Sequence, residues 1–220
     1  MNKNIESGSK TIKSSDDFEL DIKRDKEVQY HYSYLKNKKL KGIVFIIPGF
    51  GGDTNSEYSA KLREYIANSF GVLVVSVIYH CYNSRDTNGA TLTFDEFDKH
   101  LYKMNVEKKG LCANLNQPLK DMLKELASIS SHSQITATLA PPYGEYQNFG
   151  VLQVLDHINV LLEISKSGFE FIDNYPTVLM GSSHGGYIAN FIAKIIPNKI
   201  DCVIDNSSYV NPPIKYICGK

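Results

Sequence analysis

The stretch Leu179-Met180-Gly181-Ser182-Ser183-His184-Gly185-Gly186-Tyr187 joins two apolar runs, Thr177 to Met180 before it and Tyr187 to Ile196 after it. The first is short and reads as a buried strand. The second is predicted to be a helix, stopped by Pro197. Between them the pattern G-x-S-x-G fits one frame, centred on Ser183. A turn of this kind holds its central residue in a strained conformation and leaves the hydroxyl exposed above a sheet. It crowds the positions two before and two after the serine, and glycine at 181 and 185 removes the side chains that would collide there. Gly186 lets the helix press close against the strand. The unpaired N–H groups of the helix start, beginning with that of His184, lie beneath any oxyanion that develops.

Working outward, Ile43–Ile47 is apolar at every residue, as expected for a strand covered on both faces. It runs into Pro48-Gly49-Phe50-Gly51-Gly52. Glycines 49 and 51 allow a backbone amide to approach a ligand, and in a fold that faces this loop toward the elbow the amide of Phe50 pairs with that of His184. Two other readings stay open: a loop that cradles phosphate, although neither G-x-x-x-x-G-K-[ST] nor G-x-G-x-x-G fits, and a tight turn with no ligand. Strands are predicted at Phe18–Ile22, Val28–Tyr34, 72–80 and 201–205, and helices at Glu57–Phe70, Leu119–Ile129 and 151–165. Apolar strands alternating with helices predict an α/β fold with a mostly parallel, doubly wound sheet. Repeats and linkers are absent, so residues 1–220 read as one domain. The polar stretch 82–148 reads as a cap-like insertion over the top of the sheet.

The 220 residues suffice for one sizeable core, and a composition 42% hydrophobic and 22% charged is that of a soluble globular protein. Lysine plus arginine and aspartate plus glutamate balance at 24 each, so no strong field points to nucleic acid or an anionic membrane. The polar N-terminus lacks a signal-peptide core, and the expected compartment is the cytoplasm. Cys81, Cys112, Cys202 and Cys218 form no C-x-x-C pair; they are expected to be reduced and mostly buried. No metal or cofactor is expected.

The elbow, the Pro48–Gly52 loop and the strand order resemble the α/β-hydrolase superfamily and, more closely, a bacterial family of hydrolase-like proteins of unknown function, over Phe18 to Cys218. The resemblance implies a cleft at the C-terminal strand ends, a Ser–acid–His triad and acyl transfer from an ester, amide or thioester. It makes Ser183 the nucleophile and a small molecule the substrate. Pro48 stands where the superfamily's oxyanion loop often carries histidine.

The resemblance also exposes a gap. A serine hydroxyl needs a base at neutral pH, and in this superfamily the order is serine, acid, histidine. The histidines are His31, His80, His100, His132, His157 and His184, and none follows His184. After Asp201–Val210 there remains only Asn211–Lys220, where a hydrolase sheet has about two further strands. The chain is therefore expected to be C-terminally incomplete, weakly active or inactive alone, with an open sheet edge for a partner chain or self-association. The alternative function is a non-catalytic binding protein on a hydrolase scaffold. Asp205, at a strand end, is a candidate for the triad acid or for a turn. His80, ending its strand, is a candidate substitute base, and Arg85 and Asp86 are candidate substrate contacts.

Overall fold

A computed structural model of the protein describes residues 4–49, 52, 54–83, 89–129, 138–146 and 150–209. Its strands are β1 (Ile5–Lys13), β2 (Glu27–Leu35), β3 (Ile43–Ile47), β4 (Leu73–Ile78), β5 (Thr91–Thr93), β6 (Thr138–Ala140), β7 (Thr177–Ser182) and β8 (Cys202–Asn206). Its helices are α1 (Glu57–Phe70), α2 (Glu96–Glu107), α3 (Leu119–Ile129), α4 (Val151–Lys166) and α5 (His184–Ile195). The described residues fall into two compact units, one drawn from Met1–Tyr82 and Gln147–Pro212, the other from Asn83–Tyr146.

The first unit is built on a sheet ordered β1-β2-β4-β3-β7-β8. The pairings β4/β3, β3/β7 and β7/β8 are parallel, while β1/β2 and β2/β4 are antiparallel. The sheet is thus mixed, with its parallel half carrying the elbow. Alternation along β3 explains why helices flank both faces. Ile43, Phe45 and Ile47 point into the large core shared with α4 and α5, where Leu179, Ile188 and Ile192 join them. Val44 and Ile46 point the other way, against Ile66 and Ala67 of α1.

Local chemistry sets the element ends. The Ser56 side chain accepts the Ser59 N–H at the start of α1, and Gly71 closes it at φ 70°. The expected strand at Phe18–Ile22 is instead a turn. Asp17 Oδ1 accepts the N–H groups of Glu19 and Leu20, and Asp21 sits at φ 53°. An aspartate that offers the backbone local hydrogen bonds competes with a strand ladder. The first strand is the polar Ile5–Lys13, paired with β2 from Ile5↔Leu35 to Lys13↔Glu27. The helix after the elbow begins at His184, the residue expected to supply its first N–H, and includes the apolar run from Tyr187.

In the second unit, α2 and α3 bury Tyr102, Val106, Met122 and Leu126, and β5 pairs antiparallel with β6. The Tyr102 hydroxyl donates to Glu125 Oε2, and Gln117 Nε2 donates to both. Of the described cysteines, Cys81 is buried, but Cys112 and Cys202 are exposed, against expectation. Cys202 opens β8, which is the sheet edge among the described residues, and Cys112 lies outside any helix or strand. Cys218 lies outside the described residues. No helix among those residues is long and apolar enough to cross a membrane.

Candidate active site

Ser183 is the residue between β7 and α5, at φ 53° and ψ −120°. A non-glycine residue at such a φ is strained, and the surrounding backbone over-determines it. Its N–H donates to Asn206 O at the end of β8 (2.9 Å), while its carbonyl accepts from Gly186 N (3.0 Å) and Tyr187 N (3.3 Å). The two bonds to its carbonyl start α5 despite the poor helix propensity of two consecutive glycines.

None of the glycines around the serine has positive φ; they are required for space. A Cβ on Gly181 would stand 2.3 Å from Gly185 O, and one on Gly185 only 2.0 Å from Ile47 O. On Gly186 it would meet Asp205 Oδ1 at 2.6 Å and Ser208 Cβ at 2.7 Å. On Gly49 it would meet Ser182 O and Ser183 Cβ, both at 3.1 Å. The loop after β3, the elbow and the end of β8 therefore converge on one point, and Ser183, Gly49, Gly181, Gly185, Gly186 and Asp205 meet there. Phe50 and Gly51, with Arg85 and Asp86, lie outside the described residues.

Asp205 is the penultimate residue of β8, paired with Gly181. Its carboxylate accepts from the Ser208 hydroxyl, Ser208 N (3.0 Å) and Asn190 Nδ2 (2.7 Å). The Ser208 hydroxyl, above all, holds it below the usual carboxylate range. These bonds make Asp205 the head of a turn beside the elbow helix. The Ser183 hydroxyl caps no N–H of α5. Among the described residues no imidazole hydrogen-bonds it.

The His184 ring turns inward: it is 1% exposed, and its Nε2 lies 2.8 Å from Gln153 Oε1. Burial pushes this imidazole down to about 4. His80 is also buried, and its main chain is clamped by α4: its N–H donates to Asp156 Oδ2 (2.7 Å) and its carbonyl accepts from Gln153 Nε2 (3.3 Å). Arg24 Nη1 stands 3.7 Å from Asp156 Oδ1 and donates to Ser15 O, so a buried ion pair backs this clamp. His157 Nδ1 donates to Gln153 O (2.8 Å), and burial pushes His157 down to about 4 as well.

Pro48 and Thr54 are each held by side chains of the same unit. The Tyr79 hydroxyl donates to Pro48 O (3.3 Å), the Tyr82 hydroxyl accepts the Thr54 N–H, and Arg63 Nη1 donates to Thr54 O (2.8 Å). Sequence reasoning missed these supporting residues. A signal existed for three of them: Gln153, Asp156 and His157 stand at i, i+3 and i+4 within a helix that is otherwise apolar on its inner face.

The sheet, the flanking helices and the sharp serine turn define the α/β-hydrolase fold. Two solved structures share it. The peroxisomal α/β-hydrolase Lpx1 from Saccharomyces cerevisiae is 12% identical, with a TM-score of 0.54 over 96% of this chain and 46% of its own. Esterase Est22 is 12% identical, with a TM-score of 0.52 over 94% of this chain and 46% of its own. The chain spans from 39% to 58% of the length of the solved hydrolases it matches. A search of the curated proteins returns no match. The chain belongs to the family described as "Protein of unknown function (DUF2920)", whose model matches residues 9–220.

Proposed function

We propose that this protein is a serine-nucleophile acyl hydrolase acting on a small-molecule ester, amide or thioester. One observation carries the reading: Ser183 is held at φ 53° and ψ −120° with its hydroxyl capping nothing. A serine placed for helix stability adopts extended backbone and accepts a hydrogen bond from the first turn; Ser183 does neither. In the proposed reaction Ser183 Oγ bonds to the acyl carbon while its proton passes to a base. The carbonyl electron pair moves onto oxygen and is received by the amides of His184 and Phe50. The tetrahedral species then expels the protonated alcohol, amine or thiol, and water releases the acyl group from the serine. Asp205 is the candidate acid, and no described residue supplies the base, so the 220-residue chain alone is expected to turn over several orders of magnitude below a complete triad. The test is hydrolysis of short p-nitrophenyl esters, together with labelling by a fluorophosphonate probe, for wild type and Ser183→Ala. Labelling at Ser183 that the substitution abolishes supports the nucleophile; identical behaviour of the two proteins in both assays removes it. Rapid turnover lost in Ser183→Ala overturns the expectation of low activity.

A second reading, a binding protein that pairs through its sheet edge, is favoured by β8. This strand is the sheet edge among the described residues, Ile204 is 49% exposed, and Cys202–Asn206 contains no lysine or proline. Natural edges are usually guarded by such residues, as β1 is by Lys10 and Lys13. Light scattering after size exclusion distinguishes the two: a clean monomer removes self-pairing.

A further inference from the structure

We propose that Gln153 is the positioning residue of the elbow: its side-chain amide joins the end of β4 to the first residue of α5 and fixes His184 as the Nε2-protonated tautomer. The argument is one of donors and acceptors. Gln153 is 2% exposed, so neither end of its amide has bulk water to turn to. The His80 carbonyl, 3.3 Å away, can only accept, so the NH2 end of the amide must face it. The oxygen end then faces His184 Nε2 at 2.8 Å, and that nitrogen must carry the proton. The main-chain carbonyl of Gln153 takes a third bond, from His157 Nδ1 at 2.8 Å, which ties the first turn of α4 to its second and holds the glutamine backbone in place.

Three phenol rings surround the His184 ring, with centroids 5.7 Å (Tyr187), 6.3 Å (Tyr209) and 6.5 Å (Tyr79) away. Tyr79 also donates to Pro48 O. The imidazole is therefore wedged between the support of the Pro48 loop and the helix it begins. A shift of its ring moves its own backbone N–H, the donor beside Ser183. Gln153 touches no substrate atom in this arrangement; it acts through His184.

The kinetic consequence rests on the reading of Ser183 as nucleophile, but the tautomer does not, and the test separates them. The first measurement is a long-range 1H–15N spectrum of wild-type protein with 15N-labelled histidine. The expected result is His184 as a neutral ring bearing its proton on Nε2 at pH 7. An Nδ1-protonated or cationic His184 overturns the proposal. The second compares Gln153→Glu, which sets a carboxylate against Nε2 and is expected to convert His184 to the doubly protonated form at pH 7. Unchanged 15N shifts for His184 in that variant overturn the proposal even if it folds normally. Should Gln153→Glu fail to fold, the wild-type spectrum alone decides. The third is the rate of Ser183 labelling by the fluorophosphonate probe, expected to fall by about 10–100-fold in Gln153→Leu with far-UV circular dichroism unchanged. A labelling rate within two-fold of wild type refutes the positioning role. Absence of labelling in wild type refutes the nucleophile while leaving the tautomer result standing.

Discussion

His157 makes the fold sensitive to mild acid, and the size of the effect follows from its surroundings. The ring is 2% exposed and is bounded by Phe45 and Tyr79, with centroids 6.2 Å and 5.4 Å away. Its Nδ1 proton is spent on Gln153 O, and its Nε2 has no hydrogen-bond partner among the described residues. Adding a proton at Nε2 therefore makes an unpaired cation in an apolar site. Burial lowers His157 from the ordinary 6.5 to about 4, against a smaller upward pull from the Gln153 carbonyl. Between these values the unfolded chain holds the proton and the folded chain does not. Stability is thus lost as pH falls from 6.5 toward 4, by roughly 3 kcal/mol in all and at close to 1.4 kcal/mol per pH unit near pH 5. His184, lowered to about 4 by burial, adds a loss of the same sign in the same window. Against a usual total of about 5–15 kcal/mol, the two are decisive.

Urea unfolding at intervals from pH 6.5 to 4.5 measures this effect, and His157→Asn isolates one ring while retaining a side-chain N–H for Gln153 O. The variant's stability is expected to fall with a slope shallower than wild type by about 1.4 kcal/mol per pH unit around pH 5. The carboxylates held low by hydrogen bonds, such as Asp16 and Asp205, lose their contribution only as they protonate at lower pH, below this window. Parallel slopes for wild type and variant between pH 4.5 and 6 would refute the reasoning.

Gly185→Ala places a Cβ about on top of the Ile47 carbonyl, between backbone segments that cannot swing aside; the expected loss is at least about 3 kcal/mol in denaturant unfolding, and a loss under about 1 kcal/mol would mean that the elbow relaxes freely. Asp156→Asn leaves Arg24 buried with its ion-pair partner neutralised, at an expected cost of about 3–5 kcal/mol. Adding Arg24→Met to that variant is expected to recover a substantial part, and strict additivity of the two substitutions would show that the pair is not coupled.

What could be read from the chain, and what could not, divides along physical lines. The elbow was legible because its glycines are dictated by backbone contact: only a residue without Cβ fits 2.0 Å from Ile47 O or 2.3 Å from Gly185 O. Helix α1 was legible to the residue because its apolar residues recur at helical spacing and Gly71 ends it; the Ser56 cap at its start went unread. Strand β1 was missed because IESGSKTIK lies at the sheet edge, where polarity guards the strand and no apolar alternation is needed. The error at Phe18–Ile22 has the opposite cause: Phe18 is 66% exposed, so its apolar character reports no core. Helix α2 carried a local signal, the Asp95–Asp98 capping box, inside a stretch otherwise read as irregular. The Gln153 network was legible only as three polar residues at i, i+3 and i+4 on the inner face of α4; the partners of its side-chain amide, His80 and His184, lie far away in sequence, and no local pattern encodes them.

The strain at Ser183 allows a final test of whether this turn serves chemistry or folding. A side chain at φ 53° and ψ −120° costs on the order of 1–3 kcal/mol. If the serine were kept for stability, its hydroxyl would repay that cost through a cap, and none is made. Replacing it by alanine removes the hydroxyl and keeps the Cβ strain; replacing it by glycine removes both. Part of the gain with glycine is offset by the entropy of a more flexible unfolded chain, about 0.5–1 kcal/mol. The expected order is therefore Ser183→Ala within about 0.5 kcal/mol of wild type and Ser183→Gly more stable than either by about 1 kcal/mol, with both variants unlabelled by the fluorophosphonate probe. A glycine variant less stable than the alanine variant would show that the bend carries no strain, and the case for a hydroxyl held there for reaction would lose its energetic basis.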